Sequence, residues 1–363
     1  MSLTARKIKA AAIGPLEGRA LLKSRVQTMS SVVVYHKDCM DGFGAALVAW
    51  KKFGAQASYI PVSYGTEQDS FVDDVAKSAE HPLSELYVLD FSFNTAQVRR
   101  LAKLFRKLTI LDHHDTARKE LMEERKIDEQ QGPSVWAVKR EIEDLGNVSV
   151  DFDMDRAGCQ LAWDHFFQPF QTINREISRP EFINYLGWRD LWWHKRRDAY
   201  KKYADVIEAL HLYLDTMPFS FDSWAKFCDE PQDAILKGMP IVAYQKQQLD
   251  KVAANCVECV VNWTRNGANV AHQVALVNAP HFMASNLAEV VYKRAGADAY
   301  KMVAIWCAGK DGDVTVSIRS RERPSDIHCG EFAKLYGGGG HPGAAGFGIS
   351  LEQLTMIFLP LPN

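Results

Sequence analysis

"ELYVLDFSFNTAQVRRLAKLFRKLTILDHHD", residues 85–115, contains one complete strand–helix–strand unit. The apolar run at 85–93 is typical of a buried strand, and residues 95–107 have apolar side chains at the three- and four-residue spacing of a helix. A second apolar run begins at Leu108 and ends in a cluster of Asp and His residues. Because strands joined in this way by a helix are usually parallel, the stretch predicts a parallel β-sheet covered by helices.

The preceding segment repeats the same alternation. Residues 31–36 form a β-branched run that predicts a first strand, and a helix is expected from about Gly42 until Gly54 ends it. A further strand is predicted at 57–65 and a further helix at 68–80. The expected fold class is therefore α/β, with a doubly wound, mostly parallel sheet. In such sheets, ligands bind beyond the carboxyl ends of the strands.

The pattern changes twice along the rest of the chain. Helical spacing dominates from about residue 151, and strands return towards the C-terminus, where a "KDGD" turn between two β-rich runs indicates a hairpin. A length of 363 residues also favours two domains. We expect a basic N-terminal extension at 1–30, a catalytic domain at 31–215, a helical linker at 216–255 and a smaller α/β domain with a mixed sheet at 256–363.

Composition limits how the chain can bind a partner. The formal net charge is −2, so a polyanionic substrate must be held by a local patch or by metal ions rather than by a broad basic surface. Apolar runs fall short of the ~18–20 residues that cross a bilayer, which predicts no membrane insertion. Scattered cysteines and the lack of a cleavable apolar leader predict a cytoplasmic protein. The basic residues of 1–31 leave organellar targeting as an alternative.

Polar side chains are concentrated where the predicted strands end. Because the carboxyl ends of parallel strands meet at one edge of a sheet, residues far apart in sequence are expected to converge there. Asp190, from the helical stretch, is expected to join them. The strand ends contribute His36, Asp38, Asp41, Asp90, Asp112, His113 and His114.

Clustered carboxylates require compensation. Asp38, Asp41, Asp90 and Asp190 would repel one another at close range, and two divalent cations would cancel their combined charge. Imidazole nitrogens mixed with carboxylate oxygens suit Mn²⁺, Mg²⁺ or Co²⁺, with Mn²⁺ the first choice. A pair of such ions can share a bridging hydroxide that attacks phosphorus. The pattern therefore predicts phosphoester hydrolysis.

Five motifs in the same order resemble those of the DHH phosphoesterase family. They are HKDCMDG (36–42), VLDFSF (88–93), LDHHD (111–115), GWRDLWW (187–193) and KLYGGGGHPGAAGF (334–347), the last preceded by VSIRSR (316–321). The last motif is similar to the family's associated C-terminal substrate-binding domain. The resemblance covers nearly everything from 31 to 348, and it implies a DHH catalytic domain followed by a DHH-associated domain.

The resemblance also implies individual roles. One ion would be held by His36, Asp38 and Asp90. The other would be held by Asp41, Asp90, His113 and Asp190, so that Asp90 bridges the two. As catalytic residues, His114 would face the scissile phosphate and Asp112 would orient a neighbouring histidine.

One motif departs from the family pattern. The family often has two aspartates separated by a single residue before a glycine. This chain instead has Cys39, Met40 and Asp41, with another aspartate at Asp38. Either Asp38 or Cys39 therefore occupies the ligand position of the first motif.

The glycine-rich motif suggests where a substrate is held. Four consecutive glycines allow the backbone to approach an anion closely, and their N–H groups can form a phosphate-binding nest. An arginine–serine pair that matches the family adds side-chain contacts to phosphate. The candidate substrate-binding residues are Arg319, Ser320, Gly338, Gly339, Gly340 and His341.

The main hypothesis is a metal-dependent phosphodiesterase that hydrolyses short single-stranded oligonucleotides or small nucleotides to mononucleotides. Its action would be similar to that of an exonuclease, an oligoribonuclease or a nanoRNase. Two enzymatic alternatives use the same ions: hydrolysis of polyphosphate or another phosphoanhydride, and hydrolysis of a cyclic mono- or dinucleotide. A third alternative is a nucleotide-binding protein whose metal site is impaired at Cys39. The choice between RNA and DNA, and the formation of a homodimer, stay open.

Overall fold

The computed structural model describes most of the chain. The predicted extension at 1–30 lies outside the described residues. Within them, no helix has both the length and the apolar character needed to cross a membrane. The described residues are 31–64, 68–79, 83–114, 117–118, 121, 137–141, 145–167, 179–265, 268–296, 299–309, 312–321 and 323–361.

The secondary structure alternates between strands and helices in the first part of the chain and becomes helical in the middle. The strands are β1 (Ser31–His36), β2 (Ala57–Val62), β3 (Glu85–Leu89), β4 (Lys107–Asp112), β5 (Ala137–Glu141), β6 (Val148–Asp153), β7 (Val257–Arg265), β8 (Ala268–Asn278), β9 (Val303–Ala308), β10 (Asp313–Arg319), β11 (Gly339–His341), β12 (Ala344–Ser350) and β13 (Leu359–Pro360). The helices are α1 (Met40–Phe53), α2 (Gln68–Lys77), α3 (Thr95–Ala102), α4 (Gly158–Phe167), α5 (Glu181–Asp190), α6 (Trp193–Arg196), α7 (Asp198–Lys201), α8 (Ala204–Asp215), α9 (Phe221–Asp229), α10 (Gln232–Ala253), α11 (Ala284–Ala295), α12 (Cys329–Lys334) and α13 (Leu351–Ile357).

The first sheet has the strand order β2-β1-β3-β4-β6-β5. All of its neighbouring strands are parallel except β5, which pairs antiparallel with β6 at the edge. The central strands β1, β3 and β4 are fully buried at Val33, Val88 and Ile110. A doubly wound, mostly parallel sheet is therefore confirmed.

Helices around this sheet begin and end where local chemistry favours it. Asn94 caps α3 by accepting a hydrogen bond from the Gln97 backbone, while the Gln97 side chain accepts one from the Asn94 backbone. Such a capping box satisfies two backbone donors that a helix start leaves free. Helix α1 begins at Met40, slightly before the predicted Gly42, and ends before Gly54, whose φ of +55° lies in the left-handed region. The side chains of α1 and α4 pack against each other.

The chain divides into two compact units between Met239 and Pro240. This point lies inside α10 and inside the stretch 216–255 that was predicted as a helical linker. Each unit has its own sheet and its own apolar core. The smaller α/β unit with a mixed sheet, expected in the C-terminal part, is present.

The second sheet has the strand order β11-β12-β10-β9-β8-β7-β13. Strands β8 and β9 are parallel and all other neighbours are antiparallel. The predicted hairpin is formed by β9 and β10. One face of this sheet packs on α11 through residues such as Leu287 and Val291, and the other packs on α12 through Phe332.

We predict that Gly238→Ala destabilises the first unit. Gly238 lies in α10 where that helix contacts α8, and an added Cβ would overlap the backbone carbonyl of Ala209. Because backbone cannot move aside as a side chain can, the free energy of unfolding should fall by about 1–3 kcal/mol. Urea denaturation of the full chain measures this change. The control is Gly146→Ala, whose Cβ would contact nothing within 4 Å, and equal unfolding midpoints for the two variants would contradict the prediction.

Candidate metal centre

The candidate site lies at the carboxyl edge of the first sheet. Strand β1 ends at His36, Asp90 directly follows β3, and β4 ends at Asp112. These three strands are neighbours in the sheet. Their ends therefore meet, as parallel strand geometry requires.

His113 marks the centre of this meeting point. Its Nε2 atom lies 3.1 Å from Asp90 Oδ1, 3.4 Å from Asp190 Oδ2 and 3.7 Å from Asp41 Oδ2. The four residues come from the end of β4, the end of β3, the last residue of α5 and the first turn of α1. The predicted convergence of these residues is thus present in the structure.

The carboxylate of Asp41 is held by the start of α4. Its Oδ2 accepts a hydrogen bond of 2.6 Å from the Gly158 backbone, and its Oδ1 accepts one of 3.0 Å from the Cys159 backbone. Backbone N–H groups at a helix N-terminus carry a partial positive charge, which stabilises a nearby anion. The buried position of Asp41 is therefore fixed by the main chain.

Asp90 has an unusual backbone conformation. Its φ of +53° lies in the left-handed region, which non-glycine residues seldom adopt. Gly158 packs directly on it, and a Cβ at Gly158 would overlap the Cβ of Asp90. The side chain is 1% exposed. Strained conformations of this kind are concentrated at functional sites.

Asp112 orients the two histidines that follow it. Its Oδ1 accepts hydrogen bonds from the His113 backbone at 2.7 Å and from the His114 backbone at 3.2 Å, and it lies 2.7 Å from His114 Nδ1. Its Oδ2 accepts a hydrogen bond of 2.6 Å from the Ser92 hydroxyl. Because all of these partners are close and Asp112 is fully buried, its side chain cannot also reach a ligand. These contacts hold both histidines, and the catalytic role of Asp112 stays a prediction.

Protonation of the site follows from this crowding. Burial lowers the pKa of His113, but its hydrogen bond to Asp90 and the charges of three aspartates outweigh burial and raise the pKa to about 10. Burial and the charges of Asp90 and Asp190 raise the pKa of Asp41. For Asp90, burial alone would raise the pKa, yet its hydrogen bond with His113 and the nearby ring of His36 hold it below its usual value. The imidazolium of His113 therefore compensates part of the negative charge.

The donor set fits divalent metal ions. In the part of the chain that the structure describes, three groups of side chains have ligand atoms within 4.8 Å of one another: His36 with Cys39 and Asp90, Asp90 with His113 and His114, and Asp41 with His113 and Asp190. Two buried atoms that face each other at 3.6 Å, His36 Nδ1 and Asp90 Oδ2, have no hydrogen-bond partner among the described residues. Unpaired buried polar atoms are rare in folded proteins and call for a ligand. Asp90 belongs to two of the groups, as a bridging ligand would.

The structure does not bring Asp38 into these groups. Its φ is +54°, its side chain is 77% exposed, and its carboxylate lies 3.9 Å from the Lys37 ammonium. The neighbouring Cys39 belongs to the first group instead. A ligand role for Asp38 stays a prediction without a supporting contact.

A cavity of about 410 Å³ adjoins the carboxylates. Its lining includes the candidate residues Asp38, Asp41 and Asp190. The other lining residues are Cys39, Met40, Leu186, Arg189, Trp192, His211, Asp215 and Phe219. Sequence patterns did not single out Arg189, His211 or the Asp112 partner Ser92, because a lone residue in a helix or after a strand gives no periodic signal. Burial and the nearby Arg189 lower the pKa of His211 to about 4, so its ring is neutral at physiological pH.

The predicted substrate residues of the second unit lie in or next to strands β10 and β11, on either side of β12 in the sheet. Arg319 ends β10 and donates hydrogen bonds to Ser285 Oγ and to the Ile318 carbonyl, while Ser320 Oγ donates one to the Pro342 carbonyl. Gly339, Gly340 and His341 form β11, which pairs with β12.

Two of the glycines have a packing role that was not predicted. A Cβ at Gly338 would overlap the Gly346 carbonyl, and one at Gly340, whose φ is +146°, would overlap the Ala344 carbonyl. The glycines therefore allow β11 to lie close to β12. Gly339 has nothing within 4 Å of a built Cβ, and His341 is exposed. Substrate binding by these residues stays a prediction.

Comparison with known proteins supports the C-terminal part of the resemblance directly. Residues 270–358 match the DHHA1 domain family. The matched range runs from β8 to the residue after α13. The expectation of a DHH-associated domain is therefore confirmed.

Longer matches cover most of the chain at low identity. An uncharacterized protein of Acanthamoeba polyphaga mimivirus is 24% identical over 329 residues, which span 88% of this chain and 67% of the viral protein. An exopolyphosphatase-related protein from Bacteroides fragilis matches 94% of this chain and 93% of its own, with 11% identity and a TM-score of 0.47. RecJ from Thermus thermophilus, solved in complex with Mn²⁺, matches 94% of this chain and 53% of its own, with 15% identity and a TM-score of 0.44.

We predict that metal affinity rises with pH. His113 is protonated below a pKa of about 10, and only its neutral ring can bind a metal ion, so ion and proton compete. Between about pH 6.5 and 8.5 the apparent affinity for Mn²⁺ should rise by up to about tenfold per pH unit. Calorimetric titration at several pH values measures this slope. A slope near zero, or one unchanged by His113→Ala, would contradict the assignment.

For the metal-free protein, we predict that the free energy of unfolding falls as pH rises. Because the folded-state pKa of His113 is raised above its ordinary value of 6.5, its ion pairing stabilises the fold fully below pH 6.5 and is lost as pH rises through about 10. Mn²⁺ at about 100 times its Kd should restore stability by about 2.7 kcal/mol. Asp190→Asn should remove this gain. Asp215→Asn, which lines the same cavity but lies outside the ligand groups, should keep it, and equal behaviour of the two variants would contradict the site.

Proposed function

We propose that this protein is a metal-dependent phosphodiesterase that acts on short single-stranded oligonucleotides or small nucleotides. The observation that supports this most strongly is the position of His113 Nε2 within 3.7 Å of three carboxylates. A DHHA1 domain in the same chain gives independent support. We propose two divalent ions, with Mn²⁺ as the first choice for the oxygen-rich position.

Each residue has a defined task in this proposal. His36 and Asp90 would hold one ion, and Asp41, His113 and Asp190 would hold the other together with Asp90. When bound, the ions would polarise the phosphoryl group and supply an activated water at neutral pH. The α4 N-terminus keeps the Asp41 carboxylate in place by donating two backbone hydrogen bonds.

His114 would contact the scissile phosphate. Asp112 lies 2.7 Å from its Nδ1 atom, which fixes the ring and leaves Nε2 on the far side of the ring. Burial lowers the pKa of His114, but the Asp112 hydrogen bond and charge outweigh it, so the pKa is raised above the usual value. A protonated Nε2 can donate to a phosphoryl oxygen and stabilise the charge that develops there.

The cavity beside the carboxylates favours a nucleotide over polyphosphate. Trp192, Phe219 and Leu186 offer apolar surface for a base, and His211 offers a neutral ring whose Nδ1 has no hydrogen-bond partner among the described residues. Arg189 is the single arginine in this lining, which also includes four aspartates. The proposed ions would neutralise Asp41 and Asp190, so a long polyanion would find Arg189 as the one further side-chain cation of this lining.

The direct test compares three substrates. Purified full-length protein with Mn²⁺ is offered a linear dinucleotide, a cyclic dinucleotide and polyphosphate, and the release of mononucleotide or phosphate is measured. We expect the linear dinucleotide to be hydrolysed fastest. Asp90→Asn should reduce kcat by more than about 100-fold, because Asp90 belongs to two of the three ligand groups.

Asp215→Asn is the matched control, since it removes a carboxylate from the same cavity but not from the ligand groups. It should retain kcat, because it leaves the ligand groups intact, whereas its place in the cavity lining can change KM. If polyphosphate is cleaved faster than the dinucleotide, the substrate class would be a phosphoanhydride and not a nucleotide. Retained activity in Asp90→Asn, or nucleotide binding without any hydrolysis in the wild type, would overturn the proposal.

A further inference from the structure

The first ligand group contains a thiol where the family pattern places a carboxylate. Cys39 directly precedes α1 and lies two residues before Asp41. Where the family pattern has two aspartates separated by one residue, this chain has Cys39 and Asp41 separated by Met40. The question is whether the sulfur replaces the carboxylate as a ligand or whether Asp38 takes over that task.

The geometry favours the sulfur. Ligand atoms of His36, Cys39 and Asp90 all lie within 4.8 Å of one another. Asp90 Oδ2, in a residue that is 1% exposed, has no hydrogen-bond partner among the described residues, and neither has His36 Nδ1. A nitrogen, an oxygen and a sulfur therefore lie close together, and the buried nitrogen and oxygen have no hydrogen-bond partner among the described residues.

Asp38 is turned away from that place. A turn at Lys37 and Asp38, with Asp38 in the left-handed region, separates β1 from the extended Cys39. This turn leaves the Asp38 carboxylate exposed and 3.9 Å from the Lys37 ammonium. Bringing it to Asp90 would require the turn to refold.

The other nearby thiol is already engaged. Cys159 begins α4 beside Asp41, but its Sγ donates to the Ile183 carbonyl at 3.6 Å. It is absent from the ligand groups found in the described residues. Cys39, in contrast, lines the open cavity through which an ion could enter.

We propose that Cys39 binds a metal ion through its sulfur, together with His36 and Asp90. This assignment rests on the proposed binuclear centre and specifies one half of it. The two halves then differ in chemistry, because one contains a thiolate and the other, formed by Asp41, His113 and Asp190, contains only nitrogen and oxygen donors.

Unequal donors imply unequal metal preference. Thiolate ligands select softer ions such as Zn²⁺, Co²⁺ or Fe²⁺, whereas carboxylate oxygens suit Mn²⁺ and Mg²⁺. The centre is therefore expected to hold a tightly bound Zn²⁺ or Co²⁺ beside Cys39 and a more weakly bound Mn²⁺ beside Asp190.

Cobalt spectroscopy tests the sulfur ligand without any substrate. Metal-free full-length protein is titrated with Co²⁺, and the near-ultraviolet absorption from thiolate-to-cobalt charge transfer is recorded. We expect a band that saturates at about one Co²⁺ per chain, since only one half of the centre has a sulfur donor. Cys39→Ser should lose the band while still binding Co²⁺ at the oxygen-rich half.

Two matched variants control this measurement. Asp38→Asn removes the competing candidate and should keep the full band. Cys307→Ser removes a partly exposed thiol of the second unit and should also keep it. In the unmodified protein, Zn²⁺ should protect Cys39 from alkylation, as mapped by mass spectrometry, and this readout does not depend on the folding of a variant.

A band that persists in Cys39→Ser, a band lost in Asp38→Asn, or Co²⁺ binding without a band would each overturn the assignment. Alkylation of Cys39 at an unchanged rate with Zn²⁺ present would do the same. These outcomes are separate from the proposed function. Hydrolysis without the band would reject only the sulfur ligand, and the band without hydrolysis would reject only the phosphodiesterase.

Discussion

The structure of the first unit depends on carboxylates gathered around one imidazole. His113 Nε2 has three aspartate oxygens within 3.7 Å, and Asp41 and Asp90 among them are buried. Burial of like charges opposes folding unless cations or protons compensate them. The raised pKa of Asp41 and of His113 shows how protons fill that role when no metal ion is bound. A centre of this kind is poised to exchange protons for divalent ions.

The surrounding fold holds these groups in place through backbone and small residues. Neighbouring strands β1, β3 and β4 bring His36, Asp90 and Asp112 to one edge. The start of α4 supplies two N–H donors to Asp41, and Gly158 makes room for the strained Asp90. Because these donors are already ordered, no further free energy is needed to orient them when a substrate binds. This is the basis of electrostatic preorganisation.

Much of this arrangement could be predicted from the sequence. Apolar periodicity locates the strands, and parallel pairing then requires their polar ends to meet, so His36, Asp90 and His113 could be identified from pattern alone. The choice between Asp38 and Cys39 could not, because it depends on the left-handed backbone at Asp38. Strand β6 and the edge strand β5 escaped prediction because their pairing depends on tertiary contacts. Gly338 and Gly340 also pack against the backbone of β12, which the sequence did not indicate.

The central claim is that two metal ions bind on either side of Asp90. The most direct measurement is anomalous diffraction from crystals of the protein soaked in Mn²⁺, with data collected on both sides of the manganese absorption edge. The account predicts two peaks that both contact Asp90: a manganese peak near Asp41, His113 and Asp190, and a second peak near His36 and Cys39 from manganese or from a softer ion that is already bound there. Peaks located elsewhere, or fully occupied crystals without a peak at Asp90, would contradict it.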